Sequence, residues 1–191
     1  LPKGTTVKEI PIPLETKKAS VVVTFNKAVK WNPSSNMTLN VIRDVLRLRY
    51  TEEIREKEGG TYGVSVSAQN EKYPANEKTL RMSFDTDPDK AAHLKSILFR
   101  ETAKLAQSGP TSEELDKVVK NILKDREQAK PNNSYWMSTL TGYYQNGVNF
   151  DKPVNYEDIL LKMTTRDVQK FAKKFFAKPK VADVVFVPLN K

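Results

Sequence analysis

The sequence contains no cysteine and a single histidine, His93. The first absence excludes disulfides, thiolate metal sites and cysteine nucleophiles, and the second excludes any zinc centre built from several histidines. No metal is expected to be held by this chain alone. No stretch approaches the roughly 18 consecutive apolar residues of a membrane-spanning helix, and the longest runs are short and strand-like, such as Val21 to Phe25. The chain opens on Leu1 rather than Met, with no basic, apolar and small-residue signal pattern, so it reads as a fragment of a longer polypeptide. A soluble chain without cysteine suits periplasm or cytoplasm equally, which leaves the compartment unknown. Neither an internal repeat nor a low-complexity linker divides residues 1–191, which read as one domain.

What is present can build a core. Hydrophobic residues make up 38% of the chain, with eight Phe, seven Tyr and two Trp, which argues against disorder. Lys and Arg number 32 against 23 Asp and Glu, a net charge of +9. Both signs interleave at helical spacing from Glu52 to Glu58 and from Glu113 to Glu127, the pattern of a solvated helix face. Nucleic acid is therefore not an expected partner, since its binding calls for clustered cations. The excess could instead suit acidic peptides, but sequence does not place those charges on a surface.

The periodicity predicts strands first. Val7 to Ile12 is punctuated by Pro11, as an edge strand tolerates, and Ala19 to Phe25 is β-branched enough for the middle of a sheet. Asn32 as N-cap and Pro33 at the first position then open a helix whose stripe is Met37, Val41, Val45 and Leu48. That helix runs through Ile54 and Arg55 until Gly59 and Gly60 stop it. Tyr62, Val64 and Val66 alternate with Ser65 and Ser67 as a half-wet strand, and Leu80, Met82 and Phe84 return antiparallel to it. Four helices follow by pattern. One is capped by Asp87 with Pro88 in its first turn, and one opens with the Thr111 and Glu114 capping box; a third is aromatic (Tyr135, Trp136, Leu140, Tyr143, Tyr144), and the last is capped by Thr164. Val181 to Val187 closes the sheet. Strands, a helix block and one returning strand predict an α+β two-layer sandwich, a mostly antiparallel sheet with helices on one face.

Several residues invite a chemical reading. His93 has no second histidine or glutamate at zinc-ligand spacing, so it reads as a helix-surface residue. The carboxylate pairs Glu52 with Glu53 and Asp85 with Asp87 read as surface charge and caps rather than acid and base partners. Gly59, Gly60 and Gly63 follow a helix and lack a Gly-Lys-Ser/Thr continuation, which removes the phosphate-cradle reading. Arg55 and Tyr62 differ, because a planar cation and a phenol leave opposite sides of one glycine turn. Five guanidinium N–H donors and one hydroxyl suit a peptide carbonyl or the oxyanion formed from it. A helix-terminal Arg followed by an ordinary glycine stop accounts for the same spacing.

The segment R-E-K-E-G-G-T-Y-G-V, from Arg55 to Val64, resembles the C-terminal-domain signature of the pitrilysin or insulinase family of zinc metallopeptidases. The order of elements around it is similar too, including Ser108 to Leu115 leading into a helix and Thr164 to Val168 before the last helix and strand. The resemblance implies a clamshell of related α/β domains, in which one domain carries an inverted H-x-x-E-H zinc motif and a later one sends an Arg and a Tyr to the substrate backbone. Arg55 and Tyr62 would be that substrate-binding pair. The chain has no H-x-x-E-H, so the resemblance implies an inactive-type domain with no catalytic residue and no bound metal of its own. Zinc is then expected in the full-length enzyme or a partner subunit, and the expected partners are a peptide substrate and that zinc-bearing domain. The same family also includes members that act as non-catalytic structural or processing partners, which is the alternative reading.

Overall fold

The computed structural model describes residues 3–13 and 17–189. Its strands are β1 (Thr5–Ile12), β2 (Ala19–Ala28), β3 (Ser65–Glu71), β4 (Glu77–Thr86) and β5 (Lys180–Pro188). They form one sheet in the order β1-β5-β2-β4-β3. β1 runs parallel to β5, and every other neighbouring pair is antiparallel. This is the α+β arrangement expected from the sequence.

Alternation decides which face is covered. In β2 the side chains of Ala19, Val21 and Val23 are sealed, while Ser20, Val22 and Thr24 between them keep some exposure. In β4, Leu80, Met82 and Phe84 are buried and Arg81 is exposed. The buried face shares one core with Leu39, Ile42 and Leu46 of α1 (Pro33–Tyr50), with Leu94, Leu98 and Leu105 of α2 (Ala91–Ser108), and with Val168 and Phe175 of the C-terminal helix. The opposite face of the sheet carries the serines, Arg81 and Asp85.

Caps fix where the helices start. Asn32 Oδ1 accepts from the Ser35 N–H at 2.8 Å, and Pro33 occupies the first helical position. Thr111 and Glu114 form the capping box of α3 (Ser112–Ala129). Beyond α4 (Asn133–Asn146) and the short α5 (Glu157–Leu161), Thr164 and Asp167 form a second capping box at the start of α6 (Thr165–Phe176).

Two expectations about the helices change in the structure, and the exposure of a third helix is decided by its tertiary setting. The helix after Pro33 does not stay α-helical to Arg55, because Thr51–Lys57 widens into a π-helical stretch that buries Ile54 and turns Arg55 outward. Asp87 does not cap α2: its carbonyl accepts from Lys90 N at 3.0 Å in a turn, and the helix begins at Ala91. The aromatic helix α4 has no buried residue, since the described residues leave its stripe of Trp136, Leu140 and Tyr143 uncovered. Helical spacing reports a stripe, and only the tertiary arrangement decides what covers it.

Buried cations tie the layers together. Arg49 of α1 donates to both carboxylate oxygens of Glu114 at 2.7 and 2.8 Å and to the Gly109 carbonyl at 3.1 Å. The hydrogen bond to Glu114 raises the Arg49 pKa against the opposing effect of burial. Arg126 of α3 pairs with Glu157 at 2.8 Å and stacks over the Tyr156 ring at 4.0 Å, joining α3 to α5.

Candidate functional site

The π-helical stretch and the connection from it to β3 place both sequence candidates at the surface. Arg55 is exposed, and among the described residues it makes no hydrogen bond or ion pair. Gly59, at φ +58, turns the chain out of the helix. Gly60 then passes so close to α2 that a Cβ there would lie 2.5 Å from Leu94 Cδ1, and the Thr86 hydroxyl donates to the Gly60 carbonyl at 2.6 Å. The loop is thus clamped between α2 and the end of β4.

Tyr62 follows in a bend, not in a strand. The expected alternation put it on one face with Val64 and Val66, yet those two are 7% and 8% exposed and Tyr62 is 90% exposed. The reason lies in the turn beside it, where the Gly63 N–H donates to Thr61 Oγ1 at 3.3 Å and breaks the pleat before β3 starts at Ser65. Among the described residues the Tyr62 hydroxyl has no partner, while Lys18 Nζ lies 5.1 Å from the centre of its ring.

Tyr62 borders two adjoining hollows. One, of about 550 Å³, lies on the open face of the sheet against Ser20, Ser65, Arg81, Ser83 and Asp85. The other, of about 360 Å³, lies between the Gly59–Tyr62 loop, Lys18 and Asp85 to Asp87. Arg55 borders neither. The structure therefore leaves both donors in solvent, Arg55 on the π-helical stretch and Tyr62 on the connection after it, with only the phenol at the rim of the open face. Lys18 and Arg81 were not singled out from sequence, although the alternation of Leu80 and Met82 already assigned Arg81 to the open face.

The remaining candidates are surface structure. His93 Nε2 lies 3.2 Å from Glu58, both substantially exposed. Glu53 pairs with Lys57 at 2.5 Å and Arg100 at 2.9 Å, and the Lys57 hydrogen bond comes first among the causes that lower its pKa. Asp85 accepts the Ser20 hydroxyl. Among the described residues, no three His, Cys, Asp or Glu side chains are placed to hold a metal ion, so the donor set does not fit zinc. Nor is any described helix long and apolar enough to cross a membrane.

Residues 2–122 match the model of the peptidase M16 inactive domain. The chain belongs to the M16 peptidase family. Solved structures carry the same fold over nearly its whole length. The periplasmic protease PqqL from Escherichia coli is similar over 98% of this chain at 17% identity, with a TM-score of 0.80. A peptidase M16 inactive domain from Pseudomonas fluorescens is similar over 99% at 18% identity and 0.76, and an insulinase family protease from Yersinia pestis over 95% at 14% and 0.66. At these identities the likeness establishes the fold. This chain spans 21%, 45% and 43% of those three chains. A search of the curated proteins finds no match. The M16 assignment agrees with the resemblance read from Arg55 to Val64, and the word inactive agrees with the missing H-x-x-E-H.

Proposed function

We propose that this M16 domain is a substrate-positioning wall of a zinc metalloendopeptidase, with the zinc held in another domain of the same polypeptide or in a partner subunit. A peptide lies along the open face of the sheet, and Arg55 and Tyr62 donate to its backbone. The observation that carries this reading is Tyr62: a phenol 90% exposed, held on a clamped glycine loop at the edge of a hollow. Leaving an aromatic ring in water forgoes roughly 1.5–3 kcal/mol of burial, so a ring held there by its backbone is placed to meet something outside the domain. The guanidinium and hydroxyl supply donors only, and a donor aimed at developing charge is typically worth about 3 kcal/mol in the transition state.

The test uses the polypeptide or complex that contains the zinc-bearing domain. Tyr62→Phe and Arg55→Ala should each lower kcat/KM for a peptide by about 100-fold, by the same donor magnitude, without a change in Tm. A double variant with unaltered turnover refutes the assignment. The second reading, a non-catalytic assembly partner, is favoured by one observation: no residue from Pro131 to Phe150 is charged, and α4 within that stretch leaves Trp136, Met137 and Tyr144 exposed. Depletion of charge with Trp, Tyr and Met in its place is the composition of a protein interface.

A further inference from the structure

We infer that the hollow beside Tyr62 is a subsite for an acidic side chain of the bound peptide, with Arg81 as the residue that selects it. This rests on the proposed function and adds a specificity to it.

The register fixes the geometry. On the open face Ser65 pairs with Ser83, which pairs with Val22, and in the next row Ser67 pairs with Arg81, which pairs with Thr24. Same-face neighbours in adjacent strands stand about 5 Å apart, so Arg81 is surrounded by Ser67 and Thr24 across and by Ser83 along its own strand. None of these is a carboxylate. Among the described residues Arg81 makes no ion pair and no hydrogen bond, although most of the chain's other arginines do. An exposed guanidinium with its donors uncommitted, on a floor of hydroxyls, offers a bidentate carboxylate site with further O–H donors beside it.

Among the described residues Asp85 is the one carboxylate that lines the hollow, and it sits four residues from Arg81 on β4. At about 3.3 Å per residue that separates their Cα atoms by ~13 Å, beyond the ~8–10 Å over which salt leaves exposed charges coupled. Asp85 is engaged by the Ser20 hydroxyl, and Lys18 stands on the same side. The hollow is therefore polarised along the strand, with Tyr62, Asp85 and Lys18 at one end and Arg81 at the other. The chain's net charge of +9 gives no such selectivity by itself; a guanidinium with free donors over a hydroxyl floor does.

The test compares two fluorescein-labelled extended peptides that differ only in one residue, Asp or Asn, by fluorescence anisotropy with the present chain. The wild type should bind the Asp peptide at least tenfold more tightly at about 0.1 M salt, and Arg81→Gln should bring the two peptides to parity, with Arg81→Lys retaining part of the preference. Equal binding of the two peptides by the wild type overturns the acidic subsite and leaves the proposed function standing. An Arg81→Gln variant that weakens both peptides by the same factor also overturns it, since the guanidinium would then grip backbone. If neither peptide binds the wild type at all, the subsite and peptide positioning by this domain fall together. Thermal unfolding of each variant confirms that the fold is retained.

Discussion

Lys78 offers a stability experiment with a defined sign. Its side chain has no solvent exposure, and its ammonium donates to Asn70 Oδ1 at 2.7 Å and to Asn36 Oδ1. Asn70 in turn donates to Asn40 at 3.4 Å. Every partner in this network is neutral, so nothing offsets the lost hydration of the charge, and burial pulls the pKa from 10.5 down to about 8. Between pH 8 and 10.5 the unfolded chain binds the proton and the folded chain does not, so stability rises with pH through this window. The full change is the shift of about 2.5 units at 1.36 kcal/mol each, or about 3 kcal/mol. Lys78→Met removes the titration. At pH 7 it also relieves the desolvated charge but strands the buried Asn36 amide oxygen and the half-buried Asn70 one, at up to roughly 1–3 kcal/mol each, so the two effects nearly cancel. The pH dependence separates them. Urea unfolding followed by circular dichroism from pH 7 to 10.5 should show wild type gaining about 3 kcal/mol relative to the variant, which also subtracts the other lysines and tyrosines. A difference that stays flat across the window refutes the claim that this ammonium is charged and buried without a counter-ion.

Other substitutions probe the frame that holds the loop and sheet. Glu114→Gln takes the carboxylate from Arg49, whose side chain is 10% exposed, and should cost about 3 kcal/mol, a Tm drop of roughly 6–12 °C for a chain of this size; the double replacement Arg49→Met with Glu114→Leu should recover part of it. Burial opposes ionisation of Glu114, but the hydrogen bonds from Arg49 and Thr111 hold its pKa below the ordinary value, so its contribution should fade only as pH falls below that value in acid unfolding. Gly109 adopts φ +74 and ψ −175, and a Cβ would meet Gln169 Cβ at 3.0 Å and the Thr165 carbonyl at 3.1 Å. Gly109→Ala should therefore lose about 3 kcal/mol by chemical denaturation from strained backbone and contact together. Arg126→Lys keeps the charge but loses the planar stack on Tyr156, and should lower Tm while leaving the Arg49 end of α3 unaffected.

The sequence made the scaffold legible where one local rule settled the matter. Asn32 with Pro33, Thr111 with Glu114, and Thr164 as a cap each act within four residues, and each forms in the structure. Alternation assigned Leu80, Met82 and Phe84 to the covered face for the same reason. Local rules failed where two outcomes are locally equivalent. Asp87 with Pro88 has the composition of a helix start and forms a turn; Tyr62 continues the period of Val64 and Val66, but the Thr61 and Gly63 turn removes it from the pleat. Lys78, Arg49 and Arg126 were not legible as buried groups at all. Asn36 is 42 residues from Lys78, Glu114 65 from Arg49 and Glu157 31 from Arg126, so no short window of the chain contains these three interactions.

The same distinction bears on the site. The motif from Arg55 to Val64 was legible as a family likeness, whereas the chemistry of the hollow depends on three strands meeting. Ser20, Ser65, Arg81 and Ser83 lie as many as 63 residues apart, since 83 − 20 = 63, and become one surface only through the pairing of β2 with β4 and of β4 with β3. A one-residue slip of β4 would send Arg81 into the core and Met82 into water, exchanging the whole polar face for the apolar one. Burial of Leu80, Met82 and Phe84 against the helices forbids that slip. The apolar layer therefore sets the position of Arg81 relative to Tyr62 without touching either residue's polar group, and core substitutions that loosen β4 should blur peptide discrimination before they abolish folding.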